Sequence, residues 1–250
     1  MLAREKIRLF VDAPLGEGNS IALDRAKAHY LFGVMRLSQG ARVALFNGRD
    51  GEWTAEVTQA RKREGALMCL GLSCAQLTPP DLWLLFAPIK KARTDFIVEK
   101  AAEMGAARIH PVLTAYTNAD RVNVARLQAH AVEAAEQCGG TYVPPVEAPQ
   151  KLAAVLDNWP GDRLILFADE ALANGSSRHP SLFAGEEGTK DRRAPWAILI
   201  GPEGGFSHGE RARLHAMDAA HPTRLGRRIL RADTAAVAAL TLWQSTLGDW

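Results

Sequence analysis

Two rhythms of apolar and polar positions divide the chain near residue 77. Before that point apolar positions come in short runs or alternate with polar ones, as in half-buried strands. RLFV (8–11), ARVALFNG (41–48), EWTAEV (52–57) and ALMCLGLSC (66–74) read as strands, with the NGRDG stretch as a hairpin turn. LDRAKAHYLFGVMRL (23–37) instead has the spacing of an amphipathic helix, with Asp24 near its start. Short strands around one helix predict a small β-barrel over residues 1–76.

LTPPD (77–81) follows, and its two prolines withhold backbone donors and mark a domain boundary. Beyond it, continuous apolar runs alternate with helical spacing. LWLLFAPI (82–89), ARIHPVLT (107–114), LILFA (164–168), AILI (197–200) and PTRL (222–225) read as strands. The first of them has the composition of a strand buried on both faces. Residues 92–104 closed by Gly105, 124–138 closed by Gly139 and Gly140, and about 234–246 read as helices. This alternation predicts an α/β domain over 77–250 with a mostly parallel sheet covered on both faces. Residues 171–195, polar and rich in Gly and Ser, read as a surface loop with room for one helical turn around Pro180–Ala184.

Composition narrows the picture slightly. With 250 residues, 47% hydrophobic and 23% charged, the chain is ordinary for a globular protein with real cores. MLAREKIRLF has no apolar core of signal-peptide length, and no run approaches the roughly 18 apolar residues that span a bilayer. The expectation is a cytoplasmic protein without membrane contact. Three cysteines without a C-x-x-C pair, and scattered histidines, predict neither a disulfide framework nor a metal site. A net charge of +2 does not call for nucleic acid. The small basic surplus in the first 73 residues fits a solvated surface as well as it fits RNA.

The chemistry concentrates in two stretches. ILIGPEGGFS (198–207) leaves a buried strand, makes a glycine turn and opens a helix through the Ser207/Glu210 spacing of a capping box. It is neither G-x-G-x-x-G nor a P-loop. Loops at the carboxyl ends of parallel strands are where ligands sit, so the turn is either a ligand cradle or purely structural. LGRRILRADTAA (225–236) places Arg227, Arg228 and Arg231 before the last helix. Asp233 is suited to cap that helix, and the arginines could equally be solvated.

Taken together, GPEGGFS with Glu210 and LGRRILRADTAA resemble the RsmE family, small-subunit ribosomal RNA methyltransferases of the SPOUT superfamily that modify uracil N3. RLFVDAPL and AHYLFGVMRLSQGARVALFNG are similar to that family's PUA-like barrel, and PIKKARTDFIVEKAAEMGAARIHPV and AVEAAEQCGG to its first methyltransferase helices. The resemblance implies a C-terminal trefoil knot, S-adenosylmethionine as cofactor, a homodimer whose partner completes the site, and 16S ribosomal RNA within the 30S subunit as substrate. It implies cofactor contacts from Asp169 and Glu170, from Ile200, Gly201, Pro202, Glu203 and Gly204, and from Leu225, Gly226, Ile229, Leu230, Arg231 and Thr234. Removing the uracil N3 proton needs a base or a stabilised anion. Asp233 is the candidate base and Arg231 the candidate stabiliser, although either could instead orient a loop or bridge the dimer. Arg8, Arg36, Lys90 and Arg93 are candidate RNA contacts.

Family members often carry Glu where this chain has Asp233, Arg where it has Gly140, and charged residues where it has Ala115 and Tyr116. Competing readings are a non-enzymatic ribosomal RNA-binding or assembly factor and a ribose 2′-O-methyltransferase of the same superfamily. A nucleotide-cofactor dehydrogenase comes last, for want of its glycine fingerprint.

Overall fold

The structure, a computed structural model, describes residues 5–61, 63–118, 121–174 and 194–250. Two compact units emerge, one of Met1–Thr78 with Ala135–Val143, the other of Pro79–Ala134 with Pro144–Trp250. The predicted helical turn around Pro180–Ala184 lies outside the described residues.

In the first unit the alternating segments pair as strands. β1 (Arg8–Phe10), β2 (Ser20–Leu23), β3 (Arg42–Phe46), β4 (Glu52–Arg61) and β5 (Glu64–Cys74) form one sheet in the order β1-β3-β4-β5-β2. Only the β1–β3 pair is parallel; the others are antiparallel, and β4–β5 carries register shifts that bend it. Among the described residues no ladder joins β1 to β2. Leu31, Val43, Leu45, Ala55, Val57 and Leu67 fill its core without solvent exposure.

The expected helix over 23–37 is shorter. Asp24 caps it, accepting from Lys27 N at 2.8 Å. After α1 (Arg25–Ala28) the chain widens into a π-helical stretch, His29–Val34. Arg36 follows with φ of 56°, a left-handed conformation uncommon outside glycine.

Residues 135–143 join the first unit because Arg8 reaches for them. Its guanidinium donates to the carbonyls of Ala135 (2.5 Å), Glu136 (2.8 Å) and Gly140 (2.6 Å), and its Nε to Glu52 (2.6 Å). The group also lies over the Phe46 ring, and both charged side chains are buried.

In the second unit the apolar runs become the centre of a parallel sheet. The elements beyond residue 78 are β6 (Leu82–Phe86), α2 (Lys91–Glu103), β7 (Arg108–Leu113), α3 (Val124–Cys138), whose last turn belongs to the first unit, β8 (Gln150–Lys151), α4 (Leu152–Asp157), β9 (Leu164–Ala168), β10 (Trp196–Ile200), α5 (His208–His215), β11 (Ala220–Thr223) and α6 (Ala232–Leu247). The order is β11-β9-β10-β6-β7-β8, every pair parallel. β10 is buried at all five positions, as a strand covered on both faces must be. A 3₁₀ turn, Glu170–Asn174, follows β9. Among the described residues no helix is long and apolar enough to cross a membrane.

Candidate active site

Because the second sheet is wholly parallel, its carboxyl ends share one edge. Three loops from the adjacent strands β11, β9 and β10 meet there around a cavity of about 190 Å³. The loop after β10 contributes Ile200, Gly201, Pro202, Glu203, Gly205 and Phe206. Ala168, Asp169 and Glu170 come from the end of β9. The segment after β11 adds Arg224, Leu225, Gly226, Arg228, Ile229, Leu230 and Arg231, and the start of α6 adds Ala232 and Ala235.

The loop after β10 takes its shape from local chemistry. Gly205 N donates to Pro202 O at 2.9 Å, closing a turn, and Gly205 has φ of 68°. A Cβ at Gly205 would stand 2.0 Å from Glu170 Oε1, so glycine there lets the backbone lie directly against that carboxylate. Ser207 then starts α5 with a complete capping box: its Oγ accepts from Glu210 N, and Glu210 accepts from Ser207 N at 2.9 Å.

The two acidic residues after β9 have opposite environments. Asp169 is buried, and burial alone would push its carboxyl up. Donors from Arg211 (2.9 and 3.1 Å), His215 (3.0 Å) and Ala171 N (3.1 Å) outweigh that and hold it below the ordinary value. Burial, reinforced by the charge of Asp169 beside it, pushes the Glu170 carboxyl up. Asp169 therefore anchors α5 to the end of β9, while Glu170 is the carboxylate available to a ligand.

A stability consequence follows from the lowered Asp169. Its contribution is complete above the ordinary value of 3.8 and is lost as pH falls through the depressed folded value. Asp169→Asn is expected to cost about 1.5–3 kcal/mol at neutral pH, the range for hydrogen bonds to a charged group. The difference from the parent should shrink as the pH is lowered below that value, as denaturant titrations at pH 7 and pH 3 would reveal.

Arg93, on the first turn of α2, joins two other acidic residues. Its Nη1 lies 3.4 Å from Glu203 Oε1 and its Nε 3.6 Å from Asp233 Oδ2. Arg231, in extended backbone, is the N-cap of α6 and lines the cavity.

The other expected residues fall in different places. Gly204 does not line the cavity; a Cβ there would meet Tyr116 at 3.3 Å, so this glycine faces the segment after β7. Thr234, exposed on the first turn of α6, is turned to Asp233 through a 3.4 Å contact. Asp233 is not the helix cap, because α6 starts earlier and Arg231 holds that position; the Asp233 carboxylate accepts from Thr234 N at 2.8 Å instead. Arg8 is largely buried and donates to Glu52 and three carbonyls. Asp169 lines the cavity with its carboxylate already committed to Arg211 and His215. Arg36 and Lys90 are exposed. Gly205 and Phe206 were missed, although the double glycine before an aromatic was the signal for both.

A glycine-turned cavity at the carboxyl edge of a parallel sheet, in a chain that also carries a small strand-rich unit, defines an α/β enzyme with a cofactor-sized cleft. The chain belongs to the RNA methyltransferase family: the model of its RNA methyltransferase domain matches residues 76–244, and that of the RNA methyltransferase PUA domain matches 23–66. It is 29% identical over 236 residues to ribosomal RNA small subunit methyltransferase E of Rickettsia conorii, covering 93% of each chain. A Legionella pneumophila methyltransferase solved with bound SAM superposes with a TM-score of 0.84 at 26% identity, over 99% of this chain and 100% of that one. Ribosomal RNA small subunit methyltransferase E from Neisseria gonorrhoeae, bound to S-adenosyl methionine, gives 0.77 at 27% identity, over 98% and 99%.

Proposed function

We propose that this RNA methyltransferase moves a methyl group from S-adenosylmethionine to N3 of a uracil in 16S ribosomal RNA within the 30S subunit. The observation that carries the reading is the cavity at the ends of β9, β10 and β11, where Gly205 sets bare backbone against Glu170. Bare main chain at a turn, packed beside a carboxylate, suits a ligand approached by backbone. The donor set also suits this cofactor. Peptide groups at the turns pair with a neutral adenine, and Ile200, Leu225 and Leu230 offer apolar cover. Glu170 and Glu203 bring negative charge toward a sulfonium.

When bound, the cofactor supplies an electrophilic methyl group on a positively charged sulfur. The chain's own residues orient the uracil and manage its N3 proton. Asp233 takes that proton, Arg231 stabilises the charge that develops on the ring oxygens, and Arg93 fixes the Asp233 carboxylate. A second copy of the chain covers the open side of the cavity, where Ile229 is 64% exposed. The trefoil knot of the loops after β10 and β11, the homodimer and a cytoplasmic location complete the reading.

The test is methyl transfer from labelled S-adenosylmethionine to unmodified small ribosomal subunits, with the modified atom mapped by mass spectrometry. A methyl on uracil N3 is expected. A methyl on a ribose oxygen or another base would keep the cofactor and overturn the target. No transfer, with no cofactor binding by calorimetry, would favour an RNA-binding factor without chemistry.

A further inference from the structure

The loops after β6 and β7 enclose a second cleft, lined by Lys90, Lys91, Asn118, Arg121, Asn123 and Arg126. β6 and β7 are parallel neighbours, so this cleft opens on the same edge of the sheet as the cavity at β9, β10 and β11. The order of strands reverses between the two: β7 and β8 lie on one side of β6, and β10, β9 and β11 on the other. Loops leaving such a point part in opposite directions and open a crevice.

The charges around the cleft divide into two sets. Arg126 is engaged by Asp95, and Arg93 by Glu203 and Asp233. Lys90, Lys91 and Arg121 have no carboxylate partner among the described residues, and all three are exposed. Three cations with no carboxylate partner among the described residues line one concavity, with Asn118 and Asn123 beside them, and are recognition groups for an anion with many acceptor oxygens.

We infer that this cleft seats phosphodiester groups of the RNA strand whose base enters the cofactor cavity. The inference rests on the RNA methylation proposed above. Lys90 and Lys91 share the start of α2 with Arg93, whose guanidinium touches Glu203 of the cavity wall and Asp233 beside it. One helical turn rises ~5.4 Å, and phosphates recur every ~3.4 Å along a stacked strand. Those spacings suit the phosphates of nucleotides that flank the target base. Ammonium and guanidinium groups bind them without reading sequence, so the cleft positions the strand and leaves the choice of base to the cavity.

The experiment uses the full chain with Lys90→Gln, Lys91→Gln and Arg121→Gln combined. Binding to a protein-free fragment of 16S RNA containing the target is measured across a range of salt. Affinity is expected to fall at least about tenfold, and the salt slope by about two, since each lost contact to a single strand removes ~0.7. Cofactor affinity by calorimetry and the melting temperature should match the parent. Arg121→Gln alone, with a slope change of about 0.7, serves if the triple variant does not fold. Unchanged affinity and slope would overturn the inference. So would weaker binding to intact subunits with unchanged binding to protein-free RNA, which would assign the cleft to an acidic protein surface. A parent protein that binds RNA but fails to methylate would defeat the proposed reaction, while the effect of the variant on RNA affinity would still decide the cleft.

Discussion

Gly205→Val is expected to remove detectable S-adenosylmethionine binding and to lower methyl transfer at least about a hundredfold, equivalent to ~2.7 kcal/mol. Two causes act together. At φ of 68° a β-branched residue is strained, at a cost of about 1–2 kcal/mol. The new side chain would also occupy the space of the Glu170 carboxylate, 2.0 Å from where its Cβ would sit. Either Glu170 or the turn must then move, and both are walls of the cavity. Gly204→Ala is the matched control. It is one residue away, outside the cavity lining, and its Cβ would need only a small adjustment by Tyr116 at 3.3 Å. That variant should bind the cofactor within about threefold of the parent, roughly 0.7 kcal/mol. Calorimetric titration of both, with a thermal melt to show that each is folded, decides the matter. If Gly205→Val bound as tightly as the parent, the cavity would not be the cofactor site.

The contrast between these two glycines marks the limit of what could be read from the chain alone. GPEGG announced a turn at a strand end, and the loop does sit at the carboxyl edge of the sheet. Which glycine faces the cavity depends on the sign of one dihedral angle and on Glu170, far away in sequence. Signals confined to a few residues were legible for this reason. The Ser207/Glu210 box closed as its spacing required, Gly105 ended α2 in a left-handed conformation, and Asp24 capped α1. The apolar run of β6 and the short AILI run within β10 needed no partner to be recognised.

What was misread depended on distant partners or weak patterns. β2 is only four residues long, with Ile21 and Leu23 as its buried pair, and its last residue had been taken into the following helix. The last strand, expected at 222–225, lies two residues earlier, at Ala220–Thr223. β11 is an edge strand, where a missing N–H can face away from the ladder, so Ala220–Thr223 accommodates the proline internally. Arg8 looked like an RNA contact because its carbonyl partners lie 127–132 residues further along. The pairing of Arg93 with Glu203 and Asp233 has the same origin: three segments, each ambiguous alone, meet at one edge of the sheet.

That meeting makes Asp233→Asn the sharpest test of mechanism. Asparagine keeps the shape and can still accept from Thr234 N, the 2.8 Å bond that holds the side chain on the first turn of α6. It cannot take a proton from uracil N3. If Asp233 is the base, kcat falls about 10²–10⁴-fold, with little change in cofactor affinity or in KM for the subunit. Asp233→Glu should recover most of the rate, since a longer carboxylate still reaches Arg93, whose Nε is 3.6 Å from the present one. If the carboxylate merely ties Arg93 to α6, the picture differs. The tie is a partly exposed ion pair worth about 0.2–1 kcal/mol. Asp233→Asn would then cost no more than about fivefold, and Arg93→Met would cost as much. Single-turnover methylation separates the cases, because it reads the chemical step apart from release of the subunit. A rate within fivefold of the parent in Asp233→Asn would move the proton-removing role away from this residue, and Arg231, which lines the cavity, would then stabilise an anion formed without a side-chain base.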